Sequence, residues 1–204
     1  MHHDLILLNS RSSRIMVKQY TPERLKGVKD CVMDMTICPA QPEYFEQLRA
    51  IERAAFETLR RAGAVTGPAV ATSLAALNDV YRHGLLLAAM TPETGAVGFV
   101  AGTFEAGWLH IAEIDVHPDW QRKGVGRRLM KTILSAGQAR DLRGATLTTD
   151  NAAAFNAPFY ATLGFQSLAS HALPPHLARI MAEEIAAGFD PTRRTAMGII
   201  WSPR

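Results

Sequence analysis

Cysteine is scarce: only Cys31 and Cys38 occur in 204 residues. Neither has His or Cys partners at the spacing of a zinc site, so a structural zinc module is excluded from the expectations. Two free thiols in a reducing cytoplasm are expected, with a Cys31–Cys38 disulfide as the alternative. Long apolar runs are missing as well. None approaches the roughly 20 residues of a membrane span, and "LILL" near the start is shorter than the ~7–15-residue core of a secretory signal. A strong charge excess is also absent: 22 Lys and Arg against 19 Asp and Glu leave +3, with a pI of about 9.1. The cations are scattered apart from one cluster around Gly124, so no nucleic-acid partner is expected. The 48% apolar content supports a single well-cored domain. These absences predict a cytoplasmic protein without membrane attachment, with monomer and homodimer both open to it.

The chain divides at Met35. Residues 1–34 include "NSRSSR" and "TPERLKGVKD", polar and without sustained period, and read as an extension outside the core. Residues 35–204 read as the domain. "TIC" is a short strand, and Pro42 suits the first turn of a helix whose stripe is Phe45, Leu48, Ile51, Ala55 and Phe56. A second helix is predicted over Ala69 to Arg82. Three strands follow, "LLLAAM", "AVGFVAGTF" and "GWLHIAEIDV", joined by short turns into an antiparallel meander. Next come a helix with Val125, Leu129, Met130, Ile133 and Leu134 on one face, the strand "ATLTT", and a short helix "APFYATLGF" closed by Gly164. The last elements are a Pro-opened helix, with Leu177, Ile180, Met181 and Ile185 as its apolar face, and the strand "TAMGIIW". The class is α+β.

The turn "QRKGVGR", Gln121 to Arg127, joins a strand to a helix. Unpaired N–H groups converge at a helix start, and the dipole adds about half a positive charge there. Gly124 and Gly126 open the backbone to an anion. A lone G-x-G is equally a plain turn. It lacks the G-K-[ST] of a nucleoside triphosphate loop and, with Leu129, the third glycine of a dinucleotide fold.

"V-H-P-x-x-Q-R-K-G-V-G-R-x-L", followed about thirty residues later by "N-A-P-F-Y-A-T-L-G-F", resembles the GNAT superfamily of acyl-CoA-dependent N-acetyltransferases. The signature [QR]-x-x-G-x-[GA] is matched by Gln121 to Gly126, and Tyr-x-x-x-Gly-Phe by Tyr160, Gly164 and Phe165. The resemblance spans Met35 to about Trp201. It implies a mixed, mostly antiparallel central sheet flanked by helices. It also implies acetyl-CoA as cosubstrate and no metal. Backbone amides around Gln121, Arg122, Lys123, Gly124, Val125, Gly126 and Arg127 would hold the pyrophosphate. Ile114 and Val116 would meet the pantetheine arm where the fourth and fifth strands splay, and Asn156 would line the same cleft. Arg122, Lys123, Arg127 and Arg128 would complement the polyanion.

Acetyl transfer to an amine poses two proton problems. An alkyl amine of pKa ~10.4 is neutral in only about one molecule in a thousand near pH 7, so a base is needed; the departing thiolate needs an acid. The resemblance assigns the acid to Tyr160. For the base, "HIAEIDVH" offers Glu113, Asp115 and His117 on one strand face and His110 on the other, with Glu113 preferred. The acceptor, a primary amine, would be chosen by segments carrying Glu46, Glu52, Glu57, Arg60, Glu183 and Glu184. The alternative function is an acyl-CoA-binding or regulatory domain that transfers nothing.

Overall fold

Residues 34–61, 67–151 and 156–202 are described by a computed structural model of the chain. The predicted extension, 1–34, lies outside the described residues except for Asp34, as does Cys31. The apolar stripe of the first predicted helix becomes α1 (Phe45–Arg61), preceded by β1 (Thr36–Pro39) and a 3-10 turn at Pro42–Tyr44. Phe45, Leu48, Ile51 and Ala55 are buried, as the spacing demands. The second helix begins later than predicted: α2 runs Leu74–His83 because the Ser73 side chain caps it, accepting from the Ala76 N–H. Residues 67–73 therefore approach as irregular chain, and this brings Thr72 against α1.

The meander forms as predicted from β2 (Leu85–Thr91), β3 (Gly95–Glu105) and β4 (Trp108–Val116). After it come α3 (Val125–Gln138), β5 (Gly144–Asp150), α4 (Ala157–Ala161), the two-residue β6 (Gln166–Ser167), α5 (Pro175–Ala186) and β7 (Arg194–Ile200). The described strands make one sheet in the order β1-β2-β3-β4-β5-β7-β6. Its one parallel contact is β4 with β5; the other pairs are antiparallel.

Each sheet face carries its own core. On one, α3 packs Val125, Leu129, Met130 and Ile133 against Leu85, Leu87, Val100, Leu109 and Leu147. On the other, Phe45, Leu48 and Ile51 of α1 and Leu77 and Val80 of α2 cover Leu86, Ala88, Phe99 and Ala101. Leu129 and Ile133 are fully buried; each such side chain contributes roughly 1.5–3 kcal/mol. One prediction fails in α5. Ile185 is exposed, while His176, Leu177 and Glu184 are the residues it buries. The helix is fastened by polar bonds: Glu184 accepts from Thr148 and from two nitrogens of Arg194.

Candidate active site

Two features of β4 build the site. The first is a break in pairing. β4 meets β5 only over Leu109–Ile111 against Ala145–Leu147, yet β4 continues to Val116 and β5 to Asp150. Beyond Ile111 the two strands part, leaving unpaired backbone on the inner edge of a wedge. The second is a bulge. Opposite β3, the register steps from Gly102↔Ile111 to Ala101↔Glu113, so Ala112 is the extra residue. Leu109 and Ile111 before it, and Ile114 and Val116 after it, consequently all pack on the α3 side.

The bulge corrects the sequence reading of this strand. Simple alternation puts His110 opposite Glu113 and Asp115. The inserted residue shifts the phase by one and places all three on the same face, toward α1 and α5. His110 does not join the carboxylates. It is buried and bonds through Nδ1 to the Thr146 hydroxyl at 3.2 Å, which contacts His176 Nε2, also at 3.2 Å. Burial pushes the His110 pKa down to about 3, helped by His176. It is a neutral packing group. His117 sits in the loop after β4, with Nδ1 accepting from the Asp119 N–H.

Glu113 and Asp115 meet Glu52, which reaches across from α1. One carboxylate oxygen from each lies within 4.8 Å of the others. Glu52 and Asp115 are buried, and Glu113 is half-buried. Burial, then repulsion from Glu52, pushes the Glu113 pKa up to about 8. Asp115 is raised well above the usual carboxylate range by burial and by both neighbours. Glu52 is raised by burial, against the opposing hydrogen bonds of Thr72 and the charges of Arg49 and Arg53. The other acidic candidates separate cleanly from these. Glu46, Glu57 and Glu183 pair with Arg49, Arg60 and Arg179 near the helix surfaces.

Tyr160 stands in α4 with its ring edge-on to Phe159 and Phe165, centroids 5.2 and 6.1 Å away. Its body joins the α3-side core. Its pKa is raised by burial and then by the charges of Glu113 and Asp115, so the phenol stays protonated beside the carboxylates. Asn156 is the residue before α4; its carbonyl accepts the Tyr160 N–H at 3.2 Å, and its side chain makes no cap. Asp150 and Asn151, unexplained by the sequence, fasten β5 to β7. Asp150 pairs with Arg193 at 2.9 Å, and the Asn151 N–H donates to the Arg193 carbonyl.

At the mouth of the wedge lies the glycine turn. Arg122 and Gly124 both have left-handed backbones, φ 60° and 85°, which curls successive N–H groups toward one side. A Cβ on Gly124 would meet nothing within 4 Å, so conformation alone calls for glycine there. Gly126 differs. A Cβ there would make ordinary contacts of 3.7–3.9 Å with Val116, Ile114 and Phe159, which agrees with the Gly-or-Ala alternative of the signature. The Gln121 side chain is used internally. Its Nε2 donates to the Val116 carbonyl at 3.0 Å and ties the turn to β4.

The four cations are not equivalent. Arg122 and Lys123 are exposed, Lys123 lying 5.1 Å over the Trp120 ring. Arg127 bonds the Thr162 hydroxyl across the gap to α4. Arg128 turns away and donates to the Met35 carbonyl, which corrects its expected place around the anion. The residues present fit a pyrophosphate: a left-handed cradle, a helix start and exposed cations beside it.

A seven-stranded, mostly antiparallel sheet, parted between two parallel neighbours and followed by a glycine turn and helix, defines the acyl-CoA N-acyltransferase fold. Three solved structures share it. The ribosomal-protein-S18-alanine N-acetyltransferase of Escherichia coli matches with TM-score 0.60 at 17% identity, over 83% of this chain and 96% of that one. The PaiA N-acetyltransferase of Thermoplasma acidophilum, solved with coenzyme A, gives 0.60 at 14%, over 83% and 100%. N-acetylglutamate synthase of Neisseria gonorrhoeae, solved with coenzyme A and N-acetyl-glutamate, gives 0.63 at 16%, over 82% of this chain and 35% of that one. Residues 82–167 match the family model described as the acetyltransferase (GNAT) domain. The matched segment runs from the end of α2 through the meander, the glycine turn and the tyrosine helix, which is the part of the fold that builds the site.

Sequence reasoning undervalued Glu52. The signal was present: it stands four residues after Leu48 and three before Ala55, inside the apolar stripe of α1. Glu184, seven after Leu177 and four after Ile180, carries the same mark in α5.

Proposed function

We propose that the protein transfers an acetyl group from acetyl-CoA to a primary amine within the β4–β5 wedge. The observation that carries this reading is the electrostatic reach of Glu113 and Asp115 to the Tyr160 phenol, beside a parted strand pair that ends at the glycine turn. A domain that only held acyl-CoA would use the turn and would have no need of the carboxylate and the phenol.

The pyrophosphate is held by N–H groups from Gln121 to Arg127, with Arg122, Lys123 and Arg127 as counter-charges. Gly124, Val125 and Gly126 supply the close backbone approach. Ile114 and the Val116 N–H offer β4 backbone beyond the β5 pairing to the pantetheine arm, the Val116 carbonyl being taken by Gln121, and Asn156 lines the opposite side. The amine arrives as its ammonium form. Glu113 takes its proton, directly or through water. The neutral nitrogen attacks the thioester carbonyl, the C–S bond breaks as Tyr160 gives its proton to the departing sulfur, and the second proton shed by the nitrogen as the amide forms restores the phenol. A base that holds its proton up to about pH 8 is matched to an amine of pKa ~10 better than an ordinary carboxylate is.

Amine-dependent release of the coenzyme A thiol, screened over pools of small amines, amino acids and peptides, tests this. The proposal requires release with at least one pool, sharply slowed in Tyr160→Phe and in Glu113→Gln. Stabilisation by acetyl-CoA with no release from any pool would instead favour the binding domain.

A further inference from the structure

General-base chemistry needs one carboxylate, and this site holds three. Glu52, Glu113 and Asp115 meet within 4.8 Å. Among the described residues none of them forms an ion pair. The arginines around them are engaged elsewhere or stand outside. Arg49 bonds Glu46 and the Thr72 carbonyl, Arg194 is held by Glu184 through two nitrogens, and Arg53 is exposed. A second observation points into the cluster. Asp115 is 9% exposed, its Oδ2 meets no backbone, hydroxyl or amide donor, and its carboxyl shares a hydrogen bond with Glu113. A buried carboxylate oxygen without such a donor calls for a water, an ion or a ligand to meet it.

The three differ in what they are fitted to do. Glu52 accepts the Thr72 N–H at 2.8 Å and the Thr72 hydroxyl at 2.9 Å, two donors that favour its charged form and fix its position. Asp115 brings a carboxylate oxygen within 4.8 Å of Glu52. Glu113, the half-buried member, is the carboxylate whose charge acts most on the Tyr160 phenol. The attacking nitrogen must reach the thioester neutral, having lost its proton to Glu113, so it leaves no positive charge for the other two.

We propose that Glu52 and Asp115 seat a second, permanent ammonium of the acceptor, so that the site selects diamines and polyamines over monoamines. This rests on the acetyltransferase reading for its chemistry, though not for its binding. In the transfer, Glu113 takes one proton from the attacking nitrogen, the C–N bond forms and the C–S bond breaks. Tyr160 protonates the sulfur and is restored by the second proton the nitrogen sheds, and the second ammonium keeps all its protons as counter-charge.

The test uses 1,4-diaminobutane, spermidine and butylamine with the full chain, and has two arms. In the binding arm, without acetyl-CoA, the diamine should raise the melting temperature more than butylamine at equal concentration. Glu52→Gln and, separately, Asp115→Asn should erase that difference. In the turnover arm, the diamine KM should lie about tenfold or more below that of butylamine, the worth of one charge-assisted contact. Both variants should collapse this ratio through KM while kcat for the diamine falls far less. Equal shifts and equal KM values for the two amines would overturn the proposal and leave the acetyltransferase reading standing. A diamine-specific shift with no turnover of any amine would keep the seat and remove the acetyltransferase reading. Greater stabilisation by Mn2+ or Ca2+ than by the diamine, lost in Glu52→Gln, would make this a metal site and overturn the proposal.

Discussion

Thr72 donates twice to Glu52, its N–H to Oε2 at 2.8 Å and its hydroxyl to Oε1 at 2.9 Å. The pair joins the chain before α2 to the buried face of α1 and sets Glu52 over β4. Removing the hydroxyl with Thr72→Val costs one bond to a charged group, roughly 1.5–3 kcal/mol. The expected result is a higher KM for the amine, with stabilisation by acetyl-CoA unchanged. Steady-state kinetics alongside thermal melts would show it, and a weakened acetyl-CoA response instead would mean that Thr72 acts on the cofactor side.

Tyr160→Phe keeps the ring packing against Phe159 and Phe165 and removes only the hydroxyl. kcat should fall by about 10²–10⁴-fold, the usual worth of an acid or base, while affinity for acetyl-CoA stays close to that of the parent. A fall confined to acetyl-CoA binding would reassign the residue to cofactor recognition.

The two glycines of the turn should respond differently. Gly124→Ala strains a backbone at φ 85°, at a cost of roughly 1–3 kcal/mol. Gly126→Ala meets only ordinary contacts and should melt close to the parent with its acetyl-CoA response intact. Gly126→Glu sets a negative charge at the helix start and should abolish that response. Thermal melts with and without acetyl-CoA decide each case; a full response in folded Gly126→Glu would remove the anion site.

Glu113 links stability and rate to pH. Its folded pKa, about 8, lies above the unfolded 4.5. The folded state therefore holds this proton longer, and stability is lost as pH rises from about 4.5 through 8. Glu113→Gln should remove that loss, melting higher than the parent at pH 8.5 but not at pH 4. Each kcal/mol corresponds to roughly 2–4 °C in a chain of this size. Parent activity should climb with pH and bend near 8. The variant should be slower and lack the bend, continuing to rise toward the amine pKa of ~10. A bend near 8 that persists in Glu113→Gln would assign the base elsewhere.

The elements were legible where one period governs one face. The stripe of α1, the meander and the α3 face all follow from spacing, and the glycine turn and the tyrosine helix both lie within the segment, 82–167, that matches the GNAT domain model. The pairing of acid groups was not legible. Ala112 is an ordinary strand residue by type, and its bulge becomes visible only in the register against β3, so the strand phase around Glu113 was misread. Glu52 lies 61 positions before Glu113 in the chain and meets it only because the chain folds α1 across β4. The start of α2 is later than Ala69 for one local and one tertiary reason: the Ser73 cap, a signal the sequence carries, and the Thr72–Glu52 bonds, which depend on the fold.

The most direct measurement of the central claim follows one reaction by two readouts: thiol release from acetyl-CoA and mass-spectrometric detection of the acetylated amine. The purified parent and the Glu113→Gln/Tyr160→Phe double variant are compared. The account predicts equal amounts of thiol and N-acetylated product from the parent. It predicts near-complete loss of both in the double variant, which should still be stabilised by acetyl-CoA. Equal turnover by parent and double variant, or a parent stabilised by acetyl-CoA that yields no acetylated amine, would contradict it.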